Sequence, residues 1–265
     1  MIANFMSGFV ILIHIEKTFG RSREMKQYGL TVNPGKKKIV QSSKGNYYCH
    51  AIKTRVVTGG DSLAGIITEY AKPYVEKGDI LFLSEKMVAC TQGRAISVSA
   101  VKPGFFAEFL SGFVTASKAG CGLSIPETMQ CAINECGYLR ILLASAAGMI
   151  GKLLKQKGWF YMVAGYRAAG IDGPCDYTIP PYNKHIVLTP LEPDLTAAGI
   201  SKMLGDVTVL IVDVNDIGAN IIGSSGEIDK DLMINILRQN PLGQSRESTP
   251  MGILRQIRHA QDQAS

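Results

Sequence analysis

Three observations in the 265-residue chain predict a globular fold mixing strands with helices. Ile80 to Ser84 and Val207 to Val212 are short apolar runs, the second rich in β-branched residues, with the length of buried strands. Ser62 to Ala71, Phe105 to Phe113 and Glu127 to Cys136 read as helices, the first with Leu63, Ile66, Ile67 and Tyr70 at helical spacing. The composition, 46% apolar and 19% charged, is that of an ordinary folded domain and excludes disorder as the main state.

Met1 to Ile15 is apolar but shorter than the roughly 18 to 20 residues of a membrane span, and it contains His14. It lacks a basic leading region and a small-residue cleavage site, so residues 1–32 are expected to be an N-terminal extension. The folded domain is expected over 33–258, followed by a polar tail over 259–265. A cytoplasmic protein without a membrane partner is the expectation that follows.

The formal charge of +6 is local: residues 1–60 hold ten Lys/Arg against two Asp/Glu, and the remainder holds eighteen against twenty. Asn33-Pro34-Gly35 turns into Lys36-Lys37-Lys38, and Lys44, Lys53 and Arg55 extend the basic stretch. A nucleic-acid surface is one reading, but three lysines in a row are more often a solvated turn. Only Tyr47 and Tyr48 interleave, too few for a stacking platform, so no nucleic-acid partner is expected. The same stretch could equally meet nucleotide phosphates.

Asp61 is the expected cap of the Ser62 to Ala71 helix. Gly78-Asp79 turns into the strand Ile80 to Ser84, Met87 to Cys90 continues or pairs with it, and Gln92-Gly93-Arg94 closes the unit. Tyr138 to Leu154, rich in Ala and Leu and interrupted by Gly148 and Gly151, is expected to be a buried helix, and Trp159 to Tyr166 a strand. Pro180-Pro181 is a rigid connector, His185 to Leu188 a strand and Asp194 to Leu204 a helix. After Val207 to Val212 come a glycine-rich loop from Asn215 to Gly226, a helix from Ile228 to Leu237, a polar turn from Asn240 to Pro250, and an apolar pattern from Met251 to Ile257.

Six cysteines show no C-x-x-C pair and read as free, mostly buried thiols in a reducing compartment. The four histidines form no metal motif and receive no role. No period of 20 to 50 residues repeats, and neither the Rossmann nor the P-loop fingerprint is present. What remains is a pair of acidic turns. Ala168-Ala169-Gly170-Ile171-Asp172-Gly173-Pro174-Cys175-Asp176 holds Asp172 where neither helix nor central strand can continue, and Asp213-Val214-Asn215-Asp216 ends the best strand. Open sheets bind ligands at such strand exits. Two oxygen-rich turns facing each other would suit a hard divalent cation and its phosphates.

These pieces together resemble the coenzyme F420-0:L-glutamate ligases, especially their bacterial members. The resemblance runs from about Lys53 to Arg255 and rests on short motifs in a fixed order. They are Gly78-Asp79-Ile80 through Gln92-Gly93-Arg94, Ala169-Gly170-Ile171-Asp172, Pro180-Pro181, Asp213 with Asn215, and Leu242-Gly243-Gln244 followed by Thr249-Pro250. Ser84 to Ala89 and Gly173 to Tyr177 are similar to bacterial relatives in particular.

The resemblance implies a mixed α+β fold of two intertwined subdomains, with helices flanking the sheets, and a homodimer. It implies a GTP-dependent, amide-forming ligase using Mg²⁺ or Mn²⁺, in which L-glutamate joins a carboxylated small molecule such as coenzyme F420-0 through an acyl phosphate. Asp172 and Asp213 match its metal-ligand and catalytic aspartates, with Asp216 and Gln244 completing the cage. Thr54, Arg55, Val56, Val57, Ser84, Asn215 and the segment Gly243, Gln244, Ser245 and Arg246 match the nucleotide pocket, and Lys86 and Arg94 would meet phosphate oxygens. The chain departs from the pattern in four places. Val214 replaces a Thr, Asn215-Asp216-Ile217 replaces Asn-Gly-Arg, Gln244 replaces a Glu, and Cys90 stands where a lysine belongs. The alternative these departures suggest is a nucleotide- or metabolite-binding protein that kept the fold without ligation.

Overall fold

A computed structural model describes residues 28–114, 121–156 and 158–257. The apolar stretch Met1 to Ile15 and the tail from residue 259 lie outside the described residues. The fold is α+β, as expected, with a seven-stranded mixed sheet and flanking helices.

The sheet runs β1 (Gly29–Thr31), β3 (Gly45–Lys53), β9 (Met251–Gln256), β4 (Ile80–Ser84), β7 (Thr208–Val214), β8 (Ala219–Ser224), with β2 (Ile39–Ser42) paired on β3. Among the described residues only β4 and β7 pair in parallel; the other pairings of this sheet are antiparallel. Side chains alternate across the pleat, so each central strand feeds two cores. Leu81, Leu83, Val209, Ile211, Met251 and Ile253 pack on one face with helices α1 (Leu63–Tyr70) and α8 (Pro193–Met203). Phe82, Leu210, Val212 and Leu254 point to the other, under α9 (Lys230–Leu237). A third core belongs to the helices α3 (Phe105–Ser111), α4 (Pro126–Cys136), α5 (Tyr138–Leu153), α6 (Trp159–Ala164) and α7 (Tyr166–Ala169). A two-stranded ribbon of β5 (Ala95–Ser97) and β6 (His185–Val187) lies beside it.

Several expectations give way to tertiary context. Ser62 caps α1, its hydroxyl accepting from the Gly65 amide, because the Asp61 carboxylate is taken by Arg55 and Thr58. Met87 to Cys90 is no strand but part of helix α2 (Glu85–Thr91). Its apolar run is buried on every side, Met87 and Val88 against one core and Ala89 and Cys90 against another, which erases the periodicity that separates helix from strand. Trp159 to Tyr166 is helical too: Gly148 and Gly151 leave room on α5 for Phe160 and Trp159, and α6 docks there. The α5 helix is not buried as expected, since only Ile141, Ala144 and Gly151 are covered while Leu139, Leu142, Leu143 and Leu153 are exposed.

The expected loop from Asn215 to Gly226 contains β8, after a turn in which the Asn215 side chain accepts from the Ile217 and Gly218 amides. Strand β1 comes from the end of the expected N-terminal extension and β2 and β3 from the basic stretch, where three of the cations are paired: Lys36 with Asp216, Lys44 with Asp229 and Arg55 with Asp61. No single helix among the described residues is long and apolar enough to cross a membrane; α4 and α5 reach that length only as a pair bent by 120°, and α4 is largely buried.

Candidate functional site

Parallel pairing of β4 and β7 sets Ser84 beside Val212. The chain therefore emerges from the two strands side by side, into Glu85 and Lys86 at the first turn of α2 and into Asp213 near the end of β7. The Asn240–Pro250 loop is stitched against the same edge, with the Ser84 amide donating to Pro250 O (2.8 Å) and the Thr54 amide to Ser248 O (2.8 Å). Gly243 has φ +81°, and a Cβ there would run into Glu247, so this loop turns tightly only with glycine.

Asp172 arrives from the helical half. An antiparallel bridge fixes it on β6, the Asp172 amide donating to Val187 O (3.0 Å) and the Val187 amide returning to Asp172 O (2.9 Å). Next to it, a Cβ on Gly173 would overlap Cys121 Sγ and press on Thr128, so the turn packs against α4 with no space for a larger residue. The Pro180-Pro181 peptide is cis, and the following Tyr182 donates its hydroxyl to Val57 O (2.6 Å).

These segments enclose a cavity of about 890 Å³. All the residues expected at the site line it, with the exception of Arg94 and Arg246. Arg94 donates to Thr189 O (2.5 Å) and pairs with Glu135 (2.6 Å), and Arg246 donates to Asp176 O (2.8 Å). Arg55 lines the cavity with its guanidinium engaged by both oxygens of Asp61, which holds that carboxyl well below the usual carboxylate range.

Lys86 is the centre of charge. Its ammonium contacts the Asp172 carboxylate and donates to Glu85 Oε1 (2.9 Å), while Glu85 Oε2 accepts from the Tyr166 hydroxyl (3.1 Å). Glu85 is only 2% exposed, and burial raises its carboxyl above the ordinary value against the pull of Lys86. Burial works against the Lys86 charge, but Glu85 and then Asp172 outweigh it and hold the ammonium protonated. Burial, followed by the Glu85 charge, pushes the Tyr166 phenol up. Asp213 adds its field to Glu85 and Lys86, yet its carboxylate makes no hydrogen bond or ion pair among the described residues.

Asp216 and Gln244 reach the cavity but hold each other. Gln244 Oε1 accepts from the Asp216 amide (3.0 Å) and from Asn240 Nδ2 (3.1 Å), and Asp216 Oδ1 accepts from Lys36 and Asn240 (both 2.9 Å). Among the described residues no three His, Cys, Asp or Glu side chains are gathered closely enough to cage a metal by themselves. Two carboxylates nevertheless fit a divalent cation in phosphate chemistry, where one or two protein carboxylates, water and the substrate's own phosphates complete the shell. Asp213, which has no hydrogen bond or ion pair among the described residues, and Asp172, which is paired with Lys86, are the two carboxylates that would hold such an ion.

The sequence reading missed Glu85, Tyr166 and His185. Glu85 and His185 line the cavity, Tyr166 anchors Glu85, and His185 Nδ1 is 2.8 Å from Pro181 O. The signal for Glu85 was its place between a strand end and an apolar helix, where a solvated charge has no room.

The family profile described as F420-0:Gamma-glutamyl ligase matches residues 51–216, which carry β4, α2, the Asp172 turn and the Asp213 exit. Comparison with curated proteins finds no match. The profile covers more than half of the chain and ends on Asp216, the last residue of the second acidic turn: the chain belongs to the F420-0:gamma-glutamyl ligase family.

Proposed function

We propose that the chain is a metal- and GTP-dependent amide ligase that joins L-glutamate to a carboxylated acceptor of the coenzyme F420-0 class through an acyl phosphate. One observation carries the reading: Asp172 and Asp213, carboxylates from opposite halves of the molecule, line a single cavity of about 890 Å³ together with Lys86, whose ammonium contacts Asp172. In the first step the γ-phosphoryl group passes from GTP to an acceptor carboxylate oxygen, releasing GDP. In the second the glutamate amine attacks the acyl carbon, the amide forms and phosphate leaves. A divalent ion held by Asp172 and Asp213 would offset charge on the transferring oxygens. Thr54 to Val57 and Gly243 to Ser245 border the nucleotide, and Lys86 meets its phosphates.

The test is acceptor-dependent phosphate release from GTP with Mn²⁺ and glutamate present. Activity in the wild type and its loss in a folded Asp172→Asn variant support the reading; full activity in that variant ends it. A binding protein without ligation is the second reading, favoured by Asp216 and Gln244 being engaged with each other. It predicts saturable GTP binding by calorimetry with no phosphate release under any acceptor. The homodimer belongs to the first reading, and sedimentation of a monomer at micromolar concentration removes it.

A further inference from the structure

We infer that Lys86 is a built-in counter-ion that keeps the metal's place on Asp172 and gives it up when phosphates arrive, so that nucleotide and metal bind cooperatively. The inference rests on the metal and nucleotide reading above and concerns how the site's charges balance before ligands bind.

The Lys86 ammonium touches two carboxylates, Asp172 directly and Glu85 at 2.9 Å, while Asp213 lines the same cavity. A hard cation needs the Asp172 oxygen that Lys86 now occupies, so the two compete for one position. Their anchoring differs. Glu85 is buried and fastened by the Tyr166 hydroxyl, whereas the Asp172 side chain is 55% exposed at the cavity wall. When Lys86 leaves Asp172 it stays tethered to Glu85 and remains in the cavity.

The basic residues available to phosphates are few. Among the described residues that line the cavity, the lysines and arginines are Lys86 and Arg55, and Arg55 is locked in a bidentate pair with Asp61. One helical turn beyond Lys86 stands Cys90, which carries no positive charge. Incoming phosphates therefore draw on Lys86, and every step it takes toward them uncovers Asp172 for the metal. Linkage makes the effect reciprocal, so metal favours nucleotide to the same degree.

The test is Mn²⁺ titration of the full chain, followed by electron paramagnetic resonance of the free ion, with and without GDP. In the wild type, GDP is expected to tighten Mn²⁺ at least tenfold. In Lys86→Gln, Mn²⁺ alone should bind at least fivefold more tightly than to the wild type, and the gain from GDP should shrink toward unity. Since that variant leaves the buried Glu85 without its cationic partner, Glu85→Gln/Lys86→Gln, which removes both charges, is measured in parallel and should behave alike. Mn²⁺ affinity that is unchanged or weaker in the folded variants overturns the exchange while leaving the metal site standing. No Mn²⁺ binding by any of the proteins, with GDP or without, overturns the metal reading and the exchange together.

Discussion

Removing a single oxygen tests whether Glu85 is held as described. Tyr166→Phe keeps the ring and deletes the hydroxyl that donates to Glu85 Oε2 at 3.1 Å. Glu85 is 2% exposed, so solvent does not readily replace the lost donor, and Lys86 remains as its other partner. A hydrogen bond to a charged group is worth about 1.5 to 3 kcal/mol. At this long distance, and with Tyr166 itself 38% exposed, the lower end applies, about 1.5 to 2 kcal/mol. In a chain of this size that corresponds to a fall in Tm of roughly 3 to 8 °C. Urea denaturation of Tyr166→Phe, Glu85→Gln and the double variant gives the coupling directly. Tyr166→Phe should cost less in the Glu85→Gln background by about 1 kcal/mol. A single variant within about 0.5 kcal/mol of wild type, or purely additive effects, would refute the arrangement.

Three further outcomes are expected. Arg255 closes on the buried Asp79 through Nε and Nη2 (both 2.8 Å) and on Glu76, so Arg255→Ala strands a carboxylate and costs about 2 to 3 kcal/mol by chemical denaturation, below the full penalty for a buried pair because Arg255 is one-third exposed. Asp61 has its carboxyl lowered by the Arg55 guanidinium, then by the Thr58 amide; its contribution is complete above the ordinary carboxylate value of about 3.9 and is lost as pH falls through the lowered folded value. Thermal scans of Asp61→Asn should therefore run a constant interval below wild type above about pH 5 and close on it in stronger acid. Gly173→Ala places a methyl on Cys121 Sγ and should cost about 1 to 3 kcal/mol together with nucleotide affinity; adding Cys121→Ala should recover part of both, as differential scanning and calorimetry would show.

The elements that the sequence disclosed are those whose burial matches their periodicity. β4 and β7 are buried on both faces and read as continuous apolar runs, whereas α6 reads as a strand because its aromatic residues favour one until the glycines of α5 accommodate them. β3 was missed because Tyr47, Cys49 and Ala51 alternate with half-buried polar residues inside a stretch dominated by its lysines. At the site, Asp172 and Asp213 stand out in the sequence, but they read as turn residues, whereas Asp213 lies inside β7 opposite Asn220 and Asp172 is bridged to Val187. That both line one cavity depends on the β4–β7 register and on the bridge to Val187, neither of which leaves a local mark. Charge pairing was equally hidden: Arg94 reads as a phosphate ligand until Glu135, 41 residues away, claims it.

That same arginine acquires a different importance from its position. Helix α2 carries Lys86 in its first turn and ends at Thr91; the chain continues through Arg94 into β5, β5 pairs with β6, and β6 carries the bridge that returns to Asp172. The two charged partners are thus opposite jaws of a closed caliper, and Arg94, clamped to Thr189 O and Glu135 and accepting the Leu188 amide on its carbonyl, is its hinge pin. Altering Arg94, which lies outside the cavity, would then reset the gap between the jaws without touching any group that lines it.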